Sequence, residues 1–221
     1  MILMDILTKN QIAFLTAIGK SPLFTERFYL TGGTPLAAFY LGHRYSEDLD
    51  FFSEQEISDM GALEVAVRTI QKKVRAGAID FQRSFNRNIF FIHFGDEVLK
   101  TEFTYFPFGR IETGRIEYGI SVDSIFDIAV NKLFTIYQRT AARDYIDLYH
   151  ICREKKYAID ELIKKAKIKF DWHIDPLQLG TQFIKAESAQ DFPRMIVKTD
   201  PREWRTFFME EAKKLKSEII K

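Results

Sequence analysis

Two carboxylates one residue apart, Asp48 and Asp50, stand in the run Arg44-Tyr45-Ser46-Glu47-Asp48-Leu49-Asp50-Phe51-Phe52. Side chains alternate along an extended strand, so the two acids project to one face while Leu49 and Phe51 go to the other, into a core. Such a pair repels itself unless a cation neutralises it. Hard oxygen ligands suit Mg²⁺, with Mn²⁺ as the alternative, and Mg²⁺ also binds nucleotide phosphates. The competing reading is an exposed polar strand face or a turn. Leu49 between the acids and Phe51-Phe52 after them favour a half-buried strand, and with it the metal.

A partner for that chemistry lies upstream. Tyr29-Leu30-Thr31-Gly32-Gly33-Thr34-Pro35 joins a strand to a helix through adjacent glycines. Glycine permits close backbone approach, and a helix start directs N–H groups at an anion, so a triphosphate would fit. Alone, the pair also describes an ordinary tight turn. A metal that activates an attacking hydroxyl needs further ligands. Glu102, in Val98-Leu99-Lys100-Thr101-Glu102-Phe103-Thr104-Tyr105-Phe106, is the candidate third carboxylate. It shares a strand face with Lys100 and Thr104, and spacing alone does not separate a metal ligand from a surface Lys–Glu pair.

Further along, Lys132 falls on the helical stripe of Ile128 and Ile136. A lysine there either snorkels to solvent or reaches an anion. Arg143-Asp144-Tyr145-Ile146-Asp147-Leu148-Tyr149-His150 places Arg143 and Asp147 four apart, Asp144 and Asp147 three apart, and His150 one turn on. These four read either as a helix-surface ion pair or as a set in which Asp147 orients Lys132. No zinc-type spacing accompanies His43 or His150, so both read as hydrogen-bonded or surface histidines.

The elements that must position these residues change character near residue 122. Before it, β-like runs dominate at 27–31, 48–52, 79–85, 89–94, 98–106 and 115–122, with helices expected over Pro35–Gly42 and Ser58–Ala76. After it, helices are expected at 124–138, 143–154, 159–168, 176–187 and 201–218, the first capped by Ser124 with Asp127 three residues on. The runs from 79 to 106 are linked too tightly for helical crossovers, which makes the fold α+β. The expected organisation is a mixed sheet flanked by helices over residues 1–122, then a helical lobe over 123–221 that completes the site.

Composition bounds the function. The chain has 221 residues, 21 of them Phe, and 46% are hydrophobic, so its core is aromatic and aliphatic. One cysteine, Cys152, excludes an internal disulfide and a zinc cluster, in keeping with the cytoplasm. The opening stretch is interrupted by Asp5 and Lys9 and reads as an amphipathic helix with Ile6, Asn10, Ala13, Phe14 and Ala17 on one face rather than as a signal peptide. No apolar run approaches the roughly 20 residues of a membrane span. Residues 1–150 carry 16 basic and 19 acidic side chains, and residues 151–221 carry 16 and 12. A basic second half favours nucleic acid weakly; a solvated helix face explains it as well.

Taken together, Leu30-Thr31-Gly32-Gly33-Thr34-Pro35-Leu36 and Gly42-His43-Arg44-Tyr45-Ser46-Glu47-Asp48-Leu49-Asp50-Phe51-Phe52 resemble the first motif of the AbiEii-type nucleotidyltransferase toxins, a branch of the DNA polymerase β-like superfamily. Arg143-Asp144-x-x-Asp147-Leu148 resembles a later motif of the same branch, and the likeness spans roughly residues 10–155. The resemblance implies that Asp48 and Asp50 ligate catalytic Mg²⁺ and that Gly32, Gly33 and Thr34 hold the NTP phosphates. It further implies that Lys132 and Asp147 serve nucleotide binding and catalysis, with Arg44 and Ser46 in support. Many members carry Asp where this chain has Glu102, which remains a competent ligand. The expected activity is transfer of NMP from an NTP to an acceptor, RNA such as tRNA, by a toxin with a separately encoded antitoxin. Small-molecule or protein acceptors, or a non-catalytic nucleotide-binding module, are the alternatives.

Overall fold

Alternating burial on the Leu49–Ser53 strand, with Leu49 and Phe51 fully enclosed, fixes one side of a sheet as the core side. The computed structural model describes residues 6–219, with side chains through Leu215. Seven strands pair into one mixed sheet: β1 (Tyr29–Thr31), β2 (Leu49–Ser53), β3 (Ile79–Ser84), β4 (Arg87–Phe94), β5 (Glu97–Tyr105), β6 (Arg115–Glu117) and β7 (Ile120–Val122). Their order is β3-β4-β5-β2-β1-β7-β6. The tightly linked β3, β4 and β5 form the expected antiparallel meander. In the centre, β2 runs antiparallel to β1 and parallel to β5.

The helices are α1 (Lys9–Ile18), α2 (Pro22–Thr25), α3 (Gly33–Pro35), α4 (Met60–Lys73), α5 (Ile125–Gln138), α6 (Ala142–Lys155), α7 (Ile159–Phe170), α8 (Pro176–Ile184) and α9 (Pro201–Ile219). Two compact units result: Met1–Tyr40 with Ser46–Ser124, and Leu41–Tyr45 with Ile125–Lys221.

In the first unit, Phe14, Phe24, Phe28, Leu30, Phe51, Phe90 and Phe103 meet in one apolar cluster. Phe51 stacks on Phe103 at 5.0 Å, and Phe28 meets Phe103 edge-on at 5.2 Å. Such aromatic pairs add about 0.5–1.5 kcal/mol each beyond area burial. In the second unit, Trp204 and Phe208 of α9 pack on Tyr145 of α6.

Several elements depart from expectation. The run 115–122 is two strands, because Tyr118 (φ +51°) and Gly119 (φ +82°) form a reversing turn between them. The helix expected over Pro35–Gly42 starts earlier, at Gly33, and widens into a π-helical segment over Leu36–Leu41. On α1 the core face is Gln11, Phe14, Leu15 and Ile18, while Ala13 is exposed. The helix begins at Lys9, after a Thr8–Gln11 capping box that fixes its start. Residues 1–5 of the stretch read as its beginning lie outside the described residues. Short α2, opened by Pro22, was not foreseen.

Candidate active site

The register of the central strands brings the acids together. Asp50 lies opposite Thr31 on β1 and opposite Glu102 on β5. Asp48 directly precedes the paired ladder, and both aspartates are half-buried. The ammonium of Lys100 on β5 lies 2.7 Å from Asp48 Oδ2. Arg87 feels the charges of both Asp50 and Asp48 in addition to that of Glu102. Side chains from three strands therefore surround one acidic focus.

The loop that carries Asp48 is held from two sides. Thr34, buried at the start of the helical segment after the glycine pair, donates its hydroxyl to the Asp48 carbonyl and lies 2.9 Å from Ser46 Oγ. Gln11, 1% exposed on α1, donates its amide to the carbonyls of Glu47 (2.9 Å) and Ser46 (3.2 Å). Behind the turn, Gly32 has φ +84°, and a Cβ there would stand 3.0 Å from Asp50 Oδ2. Glycine is favoured on both counts.

Glu102 is aligned with this focus but is itself engaged. Arg87 donates Nε to Oε1 (2.7 Å) and Nη2 to Oε2 (2.6 Å), and the Thr104 hydroxyl also donates to Oε1. Burial pushes the Glu102 carboxyl up, but these donors outweigh it and hold the group below the usual carboxylate range. Among the described residues no three His, Cys, Asp or Glu side chains form a metal-ligating cluster. The side chains that fit a cation are Asp48 and Asp50. They are half-exposed and acidic, and Asp48 already holds a cationic ammonium.

The second unit contains a buried charge network. Arg44 donates Nε and Nη2 to the two oxygens of Asp147, and His43 Nε2 lies 2.8 Å from Oδ1. The Lys132 ammonium sits 2.6 Å from Asp144 Oδ1 and 2.7 Å from Asp147 Oδ2. Arg139 completes the set on Asp144 Oδ2 at 3.0 Å. Asp147 is 0% exposed. Burial alone would raise its pKa, yet Lys132, Arg44 and His43 hold it well below the usual carboxylate range. Burial likewise pushes Lys132 down, and the two aspartates overcome it and raise the group.

A family model described as "Nucleotidyl transferase AbiEii toxin, Type IV TA system" matches residues 13–215. The chain belongs to this family. A protein of Aquifex aeolicus (strain VF5), "Uncharacterized protein aq_aa25", is 32% identical over 144 residues, 65% of this chain. The match spans 66% of that relative, just under two thirds of its length. The AbiEii chain also shares its fold with JHP933 from Helicobacter pylori, at 20% identity and a TM-score of 0.59 over 95% of this chain and 90% of that one. MenT4, nucleotidyltransferase toxin Rv2826c from Mycobacterium tuberculosis H37Rv, matches at 18% identity and a TM-score of 0.57 over 93% and 81%. The family is described as one of nucleotidyltransferase toxins of type IV toxin–antitoxin systems. None of the chain's described helices is long and apolar enough to cross a membrane.

For this AbiEii chain, the first unit brings together Gly32, Gly33, Thr34, Ser46, Asp48, Asp50 and Glu102, all foreseen from sequence. The second gathers Arg44, Lys132 and Asp147, with Lys132 Nζ 2.7 Å from Asp147 Oδ2. The helix-surface pair between Arg143 and Asp147 does not form. Arg143 is exposed, and the oxygens of Asp147 face His43, Arg44 and Lys132 instead. Sequence reasoning missed Gln11 and Arg87. A glutamine inside an apolar helix stripe was a usable signal for the first; nothing local marked the second.

Proposed function

We propose that this AbiEii chain transfers NMP from an NTP to a hydroxyl of an RNA acceptor, tRNA in the first instance. A divalent cation, Mg²⁺ or Mn²⁺, would be held by Asp48 and Asp50. In the reaction the acceptor oxygen bonds to the α-phosphorus, the bond from that phosphorus to the β-bridging oxygen breaks, and pyrophosphate and the hydroxyl proton leave. The observation that carries the reading is the contact of the Gly32 turn with the Asp50 carboxylate. It sets a side-chain-free backbone, able to approach a phosphate, directly beside Asp50.

When bound, the cation supplies charge neutralisation and a template for the phosphates. The chain's own residues do the rest. Thr34 and Gln11 fix the Asp48 loop, Arg87 keeps Glu102 ionised in the position facing Asp50, and Lys100 offers positive charge at the rim. Arg44, Lys132 and Asp147 serve as positioning residues, because their charged ends already satisfy one another in the second unit. RNA is favoured among acceptors by the excess of basic residues after 150. A cytoplasmic setting and a cognate antitoxin complete the proposal.

The test is incubation with each α-labelled NTP, Mg²⁺ and total tRNA, beside Asp48→Ala. Label on RNA that requires Asp48 is expected. Unlabelled RNA with every NTP, while NTP and Mg²⁺ still bind, would move the acceptor to a small molecule or protein. Loss of NTP binding as well would leave a non-catalytic module.

A further inference from the structure

The tip of the β3–β4 hairpin carries a residue that neither stability nor turn geometry explains. Ser84 pairs with Arg87, so Phe85 and Asn86 form the two-residue turn. Such turns demand positive φ and favour Gly, Asn or Asp. Here Phe85 takes φ +51°, with 93% of its surface exposed. A bulky aromatic in the left-handed region strains the backbone, and this one recovers nothing by burial.

The tip is also fixed in place. Asn86 donates its side-chain amide to the Tyr105 carbonyl at 3.0 Å and accepts from the Tyr105 N–H at 3.1 Å. One residue on, Arg87 spends Nε and Nη2 on Glu102, the residue in register with Asp50. Its side chain is 52% exposed, and the two bonds to Glu102 do not use Nη1. A path of Asp50, Glu102, Arg87 and Phe85 thus runs within the first unit from the carboxylate pair to an exposed ring on a hairpin tip whose backbone is held at Asn86. Strand spacing and rise put its length at roughly 15 Å, the reach of a few nucleotides.

We propose that Phe85 is a stacking platform for an unpaired base of the acceptor RNA, a few nucleotides from the hydroxyl that reacts, with Arg87 Nη1 meeting an adjacent phosphate. The proposal rests on the RNA-acceptor reading above. Exposed rings hold bases through their π-faces without regard to sequence, and an arginine fork partly engaged by a carboxylate still presents a donor to phosphate. A platform of this kind selects acceptors with a single-stranded end and registers the terminal hydroxyl against Asp48 and Asp50.

The test uses the full chain and a labelled RNA hairpin with a single-stranded 3′ tail, followed by fluorescence anisotropy. Phe85→Leu and Phe85→Gly are expected to weaken binding about tenfold, while Phe85→Tyr and Phe85→Trp stay within about twofold of the parent. The emission of Phe85→Trp should be quenched by the tailed RNA and not by a blunt duplex. Thermal midpoints serve as the folding control. Phe85→Gly should melt no lower than the parent, because the side chain is exposed and glycine relieves the positive φ. Parental affinity in both the Leu and Gly variants would overturn the platform while leaving RNA as the acceptor. A parent that binds no RNA would overturn the acceptor reading, and the platform with it.

Discussion

Arg44 and Asp147 stand 103 residues apart and close on one another in a buried fork, with Nε 2.6 Å from Oδ1 and Nη2 2.8 Å from Oδ2. Around the fork, His43 and Lys132 approach the same carboxylate, and Lys132 reaches across to Asp144. Burying several charges is costly, and what offsets the cost is that every oxygen of the two aspartates meets a donor. The network ties the Leu41–Tyr45 segment to α5 and α6 through charge rather than through apolar area.

Removing one member should therefore cost more than the pair is worth. Asp147→Ala leaves Arg44 and Lys132 buried with one carboxylate fewer, and the expected loss is about 3–5 kcal/mol in urea denaturation. Combining it with Arg44→Met should cost less than the sum of the single losses, because the second change removes a charge that the first left stranded. A urea midpoint for Asp147→Ala equal to that of the parent would show that the network carries no net stability.

His150 supplies the pH dependence. Burial, and then the neighbouring His43 ring at 5.0 Å, pull its pKa down to about 4 against the positive influence of Asp147 and Glu203; Arg153 adds to the depression, and Thr199 holds its Nε2 at 3.0 Å. The folded chain keeps this ring neutral while the unfolded chain protonates it near 6.5. The associated stability is complete above about 6.5 and is lost as pH falls toward about 4. Urea midpoints should drop between pH 7 and pH 5 in the parent and drop less in His150→Gln. Equal slopes would remove His150 from the account. The depressed carboxylates of Asp144 and Asp147 act in a lower window: their contribution is present above about 3.9 and fades only below it.

How far the sequence revealed these sites depends on whether the partners are local. The alternation of Leu49 and Phe51 with Asp50, and the glycine pair before Thr34, declared the strand and the turn, because strand period and glycine conformation are properties of a few adjacent residues. The partners of Asp147 could not be read this way. Spacing offered Arg143, four residues off, with Lys132 as the other reading; the fold pairs Asp147 with Lys132 and adds Arg44 and His43, 103 and 104 residues away. Arg87 was equally invisible, since its tie to Glu102 depends on the register of β4 against β5 rather than on any nearby residue. Element bounds shift by up to two residues in the single strands and up to three in the helices, α6 and α9 by one or less, and the 115–122 run divides at Tyr118-Gly119.

Lys100 competes with any cation for Asp48. Its ammonium is 2.7 Å from Oδ2, with both side chains about one-third exposed, so a divalent ion binding this oxygen must displace it or share it. Lys100→Met should tighten Mn²⁺ binding to the NTP-free protein by roughly threefold to tenfold, the effect of removing one like charge from a half-exposed site. Mn²⁺ titration followed by electron paramagnetic resonance reads this without reference to turnover. Unchanged affinity would mean that the ion does not use Asp48 Oδ2.

Gly32 separates stability from site geometry. Its φ of +84° makes any side chain strained, and an added Cβ would press on Asp50 Oδ2 at 3.0 Å. Gly95, in the β4–β5 turn, has a comparable φ of +63° with nothing within 4 Å of its would-be Cβ. Ala at either position should cost about 1–2 kcal/mol from the backbone alone. Only at Gly32 must a carboxylate also give, by a few tenths of an ångström, and since misplacing a reacting group by about 1 Å costs on the order of 100-fold in rate, a severalfold loss is expected here. Gly32→Ala should therefore lose nucleotidyl transfer beyond its loss of thermal stability, while Gly95→Ala loses stability and keeps activity. If both variants lost activity only in proportion to their unfolding, the contact between Gly32 and Asp50 would be a packing detail rather than a part of the site.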